Sequence, residues 1–101
     1  MSVMFPKNSP YRSSKWLAAV GSLEQCVLCG SYGPLQVAHC NEGKSMGMKA
    51  SDCCSARLCL TCHTEIDNGK HLTRDERRSL MDKAIRITLE RLVILGKVTP
   101  V

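Results

Sequence analysis

The chain has 101 residues, of which seven are cysteine and only four are aromatic, and its formal net charge is +5. This length suits one domain with a modest core. No apolar run approaches the ~20 residues of a membrane span. The odd number of cysteines excludes complete pairing in intramolecular disulfides. The excess of Lys and Arg over Asp and Glu, 14 to 9, is compatible with nucleic acid as a partner but does not demonstrate it.

The first third of the chain predicts an arm, a short helix and a strand. Residues 1–13 contain prolines and serines without periodicity, which predicts a partly flexible N-terminal arm before a single domain over residues 14–101. A short helix is predicted from Ser14, capped by a serine and ended near Gly21. Leu35–His39 alternates enough to predict a short strand. No early apolar stretch is long enough for a secretory signal, so a reducing cytoplasm is the expected location.

Two helices are predicted in the second half, after a stretch of loop composition at Asn41–Lys49. The first runs from about Leu60 to Asn68. The second, over about residues 74–95, begins with the capping-box sequence Thr73-Arg74-Asp75-Glu76 and ends near Gly96. Its mostly apolar positions recur at intervals of three and four: Leu80, Met81, Ala84, Ile85, Thr88, Leu92 and Leu95. Ile87 and Ile94 lie outside this stripe, so the helix either meets the core with both faces or forms a homodimer through one of them.

Two cysteine doublets give the strongest chemical signal, and both have the spacing C-x-x-C. They are Cys26-Val-Leu-Cys29 and Cys59-Leu-Thr-Cys62. Each doublet lets two thiolates bind one metal ion from a tight turn, and two doublets supply the four tetrahedral ligands of a structural zinc. Such a zinc would compensate for the thin aromatic core, since it can contribute roughly 10–16 kcal/mol of apparent binding energy to folding. The other three cysteines (Cys40, Cys53 and Cys54) are interpreted as small hydrophobic residues.

The second doublet also permits a different interpretation. Together with His63 it forms C-x-x-C-H, the sequence of covalent haem attachment. A haem protein would require export to an oxidising compartment, and haem attachment would leave the first doublet unexplained. A haem or thiol redox protein is therefore kept only as an alternative.

The three histidines are surplus to a four-cysteine zinc site. On a helix, His63 and Asp67 share one face, where they could hold a divalent cation with open positions for water and phosphate; a plain exposed helix is the alternative. His71 is a further candidate ligand or phosphate contact. His39, at the end of the predicted strand, has an imidazole suited to deprotonating water at neutral pH, provided that it faces the His63 and Asp67 pair.

The order of these motifs resembles that of the HNH nucleases of the ββα-metal fold, and more narrowly that of the small phage and prophage HNH-type proteins. The resemblance covers roughly residues 12–71. It is carried by the first doublet, the pair Ala38-His39, the segment Gly47-Met48-Lys49-Ala50-Ser51-Asp52, the segment Leu58-Cys59-Leu60-Thr61-Cys62-His63 and the opening Arg12-Ser13-Ser14-Lys15-Trp16-Leu17. It implies a small zinc-stabilised α+β domain of the ββα-metal (HNH-like) type, here with a short N-terminal and a long C-terminal helix.

The resemblance also implies roles for single residues. His39 matches the general base that activates water against a phosphodiester, His63 matches a ligand of the catalytic cation, and Asp67 stands where many relatives place a second histidine ligand. The four doublet cysteines match the structural zinc site. The implied activity is that of a metal-dependent DNA endonuclease that uses Mg²⁺, Mn²⁺ or Ni²⁺, in phage recombination, replication or packaging.

Two positions depart from the family pattern. The motif asparagine, expected about five positions before the second doublet, is replaced by Cys54, and either Asp52 or Asn41 could take its place. Ala38 stands where some members have a metal-binding aspartate. The main alternative is therefore a zinc-stabilised nucleic-acid-binding module that has lost catalysis.

Basic residues around these motifs are predicted to bind DNA through its phosphates. They are Lys7, Arg12, Lys15, Lys44, Lys49, Lys70 and Arg74. Such contacts hold a duplex without reading its sequence and weaken steeply with salt. For each of them a solvated surface charge is the alternative, and no segment resembles a base-reading helix.

Overall fold

The computed structural model of the chain describes residues 10–40 and 50–100. In chain order these residues form α1 (Ser14–Gly21), β1 (Leu35–His39), β2 (Ser55–Cys59), α2 (Leu60–Asn68) and α3 (Arg74–Ile94). The two strands pair antiparallel, with Leu35 opposite Cys59 and His39 opposite Ser55. The predicted α+β class is confirmed for the described part of the chain, whereas β2 was not predicted from the sequence.

The helix boundaries follow from local chemistry and lie close to those predicted. The hydroxyl of Ser13 accepts a hydrogen bond from the Trp16 amide and so caps α1. The capping box of α3 is present: the Thr73 hydroxyl accepts from the Glu76 amide, and the Glu76 carboxylate accepts from the Thr73 amide at 2.8 Å. Beyond α3, Gly96 has a φ of 72°, a conformation that glycine adopts without steric cost.

The core lies between the strand pair and the two later helices. Its buried residues include Ala38, Ala56, Leu58, Ile66, Met81 and Ala84, together with Cys26 and Cys59. A second cluster of Val20, Leu23 and Leu92 joins α1 to α3. Two of the four doublet cysteines therefore belong to the core itself, so a metal bound by them would stabilise the same contacts that hold the sheet to the helices.

The apolar stripe predicted for α3 faces the core except at its end, with Leu80 and Ile85 partly buried. Met81, Ala84, Thr88 and Leu92 are buried. The prediction was wrong for Leu95, which is 57 % exposed because the helix ends at Ile94. Ile94 is also exposed, so this position does not pack on the core, and a homodimer through this end of α3 stays a prediction.

The end of the predicted N-terminal arm is held by the fold. The Tyr11 amide donates to the Ser51 hydroxyl at 2.9 Å, and the Asp52 amide donates to the Tyr11 carbonyl at 2.8 Å. Residues 1–9, and the predicted loop over residues 41–49, lie outside the described residues. None of the described helices is long and apolar enough to cross a lipid bilayer.

Candidate functional site

The two cysteine doublets meet in one cluster. The sulfur atoms of Cys26, Cys29, Cys59 and Cys62 all lie within 4.8 Å of one another, and those of Cys29 and Cys59 are 3.6 Å apart. Four sulfurs around a tetrahedral zinc at the usual bond length of about 2.3 Å would be ~3.8 Å apart. The cluster therefore has the size and the donor set of a structural zinc site, as predicted, and could hold a metal ion such as zinc.

Backbone hydrogen bonds fix both halves of the cluster. In the first half the Gly30 amide donates to the Cys26 carbonyl at 2.9 Å, and Gly30 has a φ of 79°, which a residue with a Cβ adopts only with strain. In the second half Cys59 ends β2 and also caps α2, because its sulfur accepts from the Cys62 amide. The cysteine cluster thus fixes where α2 begins relative to the sheet.

The thiols of Cys26 and Cys62 differ in how readily they ionise. Burial disfavours the thiolate of Cys26, but hydrogen bonds from the backbone amides of Cys29, Cys59 and Leu28 outweigh it and lower the pKa of Cys26 to about 6. Burial raises the pKa of Cys62, and the neighbouring cysteine sulfurs raise it further. Sulfurs so close together repel as thiolates, so a cation among them would promote their common deprotonation.

The predicted pair on α2 is brought together by the structure. The Nε2 atom of His63 lies 3.0 Å from Oδ2 of Asp67, and the two side chains are 27 % and 36 % exposed. The other ring nitrogen, Nδ1, contacts Oε1 of Gln36 on β1. Both ring nitrogens therefore face oxygen atoms, and the pair stays accessible to water and to ions.

His39 belongs to a second polar cluster, at the far end of β1. Its Nε2 atom donates to Oδ1 of Asp52 at 2.9 Å, and the same carboxylate accepts from the Ser13 amide at 2.7 Å and from the Arg12 guanidinium at 3.3 Å. The hydrogen bond from His39, that from Ser13 and the charge of Arg12 lower the pKa of Asp52. Asp52 is buried and ionised, so it fixes the His39 ring and does not face solvent as a ligand would.

The sheet separates the two histidine clusters. Gln36 and His39 are three residues apart on β1, and side chains three apart along a strand point to opposite faces. His63 meets the face that carries Gln36. A phosphate could therefore touch both rings only around the edge of the strand pair, and the shared cleft expected for His39 and His63 stays a prediction.

The remaining predicted residues are distributed over the surface or lie outside the described residues. Lys15, Lys70, His71 and Arg74 are exposed. Arg12 donates to the Ala50 carbonyl at 2.6 Å as well as to Asp52, so part of its guanidinium serves the fold. Cys54, which stands where the resemblance predicts an asparagine, packs against the core. Lys7, Asn41, Lys44 and Lys49 are outside the described residues.

Gln36 and Ser13 were missed by the sequence analysis. Each bonds to a predicted functional residue, Gln36 to His63 and Ser13 to Asp52. The alternation of β1 marks Gln36 as the polar position on the face opposite His39, which is the signal that could have pointed to it. Nothing local marks Ser13 beyond its role as a helix cap.

No protein-family model, curated protein or solved structure matches this chain. The fold and the site define a class: a small α+β domain whose four clustered cysteines could bind zinc.

Proposed function

We propose that this chain is a metal-dependent DNA endonuclease of the HNH type. In this proposal the four doublet cysteines hold a structural zinc, and His63 and Asp67 hold a second divalent cation. The observation that carries the proposal is the 3.0 Å separation of His63 Nε2 and Asp67 Oδ2 on an accessible face of α2. Two ligand atoms bound at ~2.1 Å on adjacent corners of an octahedron are ~3.0 Å apart, so a cation could replace the ion pair that now joins these two atoms without a change in their separation.

The donor set of this pair fits a catalytic cation. A carboxylate oxygen suits Mg²⁺ and Mn²⁺, and an imidazole nitrogen suits later transition metals such as Ni²⁺. Two protein ligands leave several positions open for water and for a phosphate oxygen. A cation bound there would neutralise charge on the scissile phosphate and stabilise the leaving 3′ oxygen.

In this proposal His39 is the general base that takes a proton from the attacking water. Because its Nε2–H donates to Asp52, its Nδ1 atom carries the lone pair that would take a proton from the attacking water. The buried Asp52 carboxylate holds the ring in this tautomer and would stabilise the imidazolium that forms. This step requires the substrate phosphate to lie at the edge of the strand pair, within reach of both histidines.

Exposed basic side chains would hold the DNA. Lys15, Lys70 and Arg74 are all exposed, and they contribute to the formal net charge of +5. They would bind phosphates without selecting a sequence. The proposed biological setting is the cytoplasm, in phage or prophage recombination, replication or packaging, and it rests on the resemblance to the HNH-type proteins.

A second candidate function is a zinc-stabilised nucleic-acid-binding module without catalysis. One observation favours it: Ala38, at the position where some HNH proteins have a metal-binding aspartate, is 1 % exposed and offers no ligand. The side chains of Gln36 and His39 point to opposite faces of β1, which also favours a module without catalysis.

A plasmid-nicking assay with zinc-loaded protein separates the two functions. The parent chain, His39→Ala, His63→Ala and the neighbouring surface control Thr64→Ala are compared with Mg²⁺, Mn²⁺ or Ni²⁺. The nuclease is supported if the parent and the control nick DNA while each histidine variant loses roughly 100-fold or more of the rate and keeps its zinc. A parent chain that retains DNA without nicking it supports the binding module. A parent chain that does neither contradicts both functions.

A further inference from the structure

An open groove lies between the end of α3 and the turn that carries the first cysteine doublet. Its volume is about 720 Å³, and it has Glu24 on one wall and Arg91 on the other. The apolar side chains that line it come from both walls: Leu23, Val27 and Leu28 from the side of the cysteine turn, and Ile94 and Leu95 from α3. Ile94 is 77 % exposed, more than any other large apolar side chain of the described residues. The fold therefore forms an apolar groove without filling it.

Backbone hydrogen bonds fix both walls of the groove. On the side of the cysteine turn, the Val27 amide donates to the Arg57 carbonyl at 3.0 Å. On the other side, the Lys97 amide donates to the Leu92 carbonyl at 2.8 Å, which closes the end of α3 with the long-range bond of a Schellman motif. Because the walls are held before a partner binds, docking onto them costs little conformational entropy.

The charges of the groove suit a second copy of the same chain. In a two-fold dimer, each contact between one residue and another occurs twice, so the surface must complement itself. Glu24 and Arg91 meet this condition because they carry opposite charges on opposite walls, and neither forms an ion pair with another described residue. Each apolar wall would likewise meet an apolar surface of the other copy.

We infer that two copies of the chain pair through this groove. Ile94 and Leu95 of each copy enter the groove of the other, and Arg91 of each copy faces Glu24 of the other. The apolar contact supplies the driving force, and the two equivalent charge pairs set the orientation. This pairing concerns the assembly of the domain, so it does not depend on whether the domain cleaves DNA.

Substitutions on α3 test whether this surface pairs. Ile94→Asp places a charge in the apolar contact. Leu89→Asp is the matched control, because Leu89 is also exposed on α3 but lies roughly 140° around the helix from Ile94 and does not line the groove. Sedimentation equilibrium of zinc-loaded protein measures the dimer dissociation constant, with zinc content and circular dichroism as checks on folding. Ile94→Asp is expected to weaken dimerisation about 30-fold or more, while Leu89→Asp stays within about threefold of the parent.

An exchange of charges tests whether the partner is a second copy in the inferred orientation. Glu24→Arg alone and Arg91→Glu alone each create two like-charge contacts in the dimer, so each should weaken it about tenfold or more. An equimolar mixture of the two variants restores both opposite-charge contacts and should form a mixed dimer within about threefold of the parent affinity. Local damage to one wall could not produce this recovery, because neither variant regains its own side chain in the mixture.

Three results would overturn the inference. The first is a parent chain that stays monomeric up to about 1 mM, which would leave the groove to a different occupant. The second is equal dimerisation of the parent and a zinc-containing Ile94→Asp chain. The third is a mixture of the two charge variants that associates no more tightly than either variant alone.

Discussion

The backbone amide of Val27 donates a hydrogen bond to the carbonyl of Arg57, 3.0 Å away, and so fastens the first cysteine turn to β2. Because β2 continues directly into Cys59, the same short stretch of strand holds one doublet and leads into the other. Cys29 and Cys59, 30 positions apart in the chain, come within 3.6 Å in this way. Zinc binding and strand pairing should therefore disappear together.

If the cysteine cluster binds zinc, removal of the metal is expected to unfold the protein. A structural zinc contributes roughly 10–16 kcal/mol of apparent binding energy, which is comparable with the ~5–15 kcal/mol total stability of a typical domain. Cys62→Ser, or a strong chelator, should abolish zinc binding and the cooperative thermal transition, as followed by elemental analysis and circular dichroism. The control Cys53→Ser lies outside the cluster and should retain about one zinc per chain. A chelated chain that still melts cooperatively would contradict this dependence.

Two glycine substitutions should change stability in opposite directions. Gly30 has a φ of 79°, and an added Cβ there would meet only the Gln25 amide at 4.0 Å, so the cost of Gly30→Ala is the backbone strain of about 1–2 kcal/mol. Gly21 closes α1 with helical backbone, and a Cβ there would touch Val37 at 3.8 Å, so Gly21→Ala should stabilise the protein by about 0.5–1 kcal/mol. Urea unfolding of both zinc-loaded variants checks the two signs. Stabilisation by Gly30→Ala would show that the turn does not require the positive φ of Gly30, and destabilisation by Gly21→Ala would contradict the prediction for α1.

The helices and β1 were predictable because their signals are local. The capping box at Thr73 and Glu76, the glycine after Asn68 and the alternation from Leu35 to His39 all act within a few residues, and each prediction is confirmed. Strand β2 was not predicted because SARLC alternates weakly, and its pairing is decided by a partner strand from a distant part of the sequence. Non-local pairing of this kind leaves little trace in a short segment.

The candidate site was predictable in its ligand types but not in its supporting contacts. Spacing alone indicated the four cysteines and the pair of His63 and Asp67, and the structure brings each set together. The bonds from Gln36 to His63 and from Ser13 to Asp52 join separate elements, so they depend on how α2 and the N-terminal segment dock on the sheet. No local pattern contains that information.

Asp52 is expected to stabilise the fold through its charge. Its carboxylate accepts from His39, Ser13 and Arg12, and hydrogen bonds to a charged group contribute about 1.5–3 kcal/mol each. Asp52→Asn, which keeps the shape but removes the charge, should lower the free energy of unfolding by about 2 kcal/mol at pH 7. The control Asp82→Asn, on the exposed side of α3, should stay within about 0.5 kcal/mol of the parent. If Asp52→Asn lowers the free energy of unfolding by less than the control does, the Asp52 carboxylate does not stabilise the fold through its charge.

The lowered pKa of Asp52 gives this contribution a definite pH dependence. Because the folded pKa lies below the unfolded value of about 3.9, the contribution is fully present above about pH 5, decreases below that pH and disappears as the pH falls through the folded pKa. The side-chain ¹³C shift of Asp52 should still report a carboxylate at pH 4, where the same residue in an unstructured peptide is about half protonated. Zinc content is followed in the same samples, because thiol protonation releases the metal at low pH. If zinc remains bound and Asp52 becomes protonated at the same pH in the protein as in the peptide, the prediction is wrong.

If the chain binds DNA, Lys70 and Arg74 should contribute by binding phosphates. Removing one such cationic side chain reduces the slope of log binding constant against log salt concentration by about 0.9 on duplex DNA, so Lys70→Ala and Arg74→Ala should each lower the slope by that amount. Lys83→Ala is the matched control: Lys83 is exposed on α3, nine residues or about two and a half turns from Arg74, and therefore on the opposite side of the helix. Fluorescence anisotropy with a labelled duplex at several salt concentrations measures all three slopes. The same reduction in Lys83→Ala as in Arg74→Ala would mean that charge anywhere on the domain supports binding, and that the side of α3 carrying Arg74 has no special part in it.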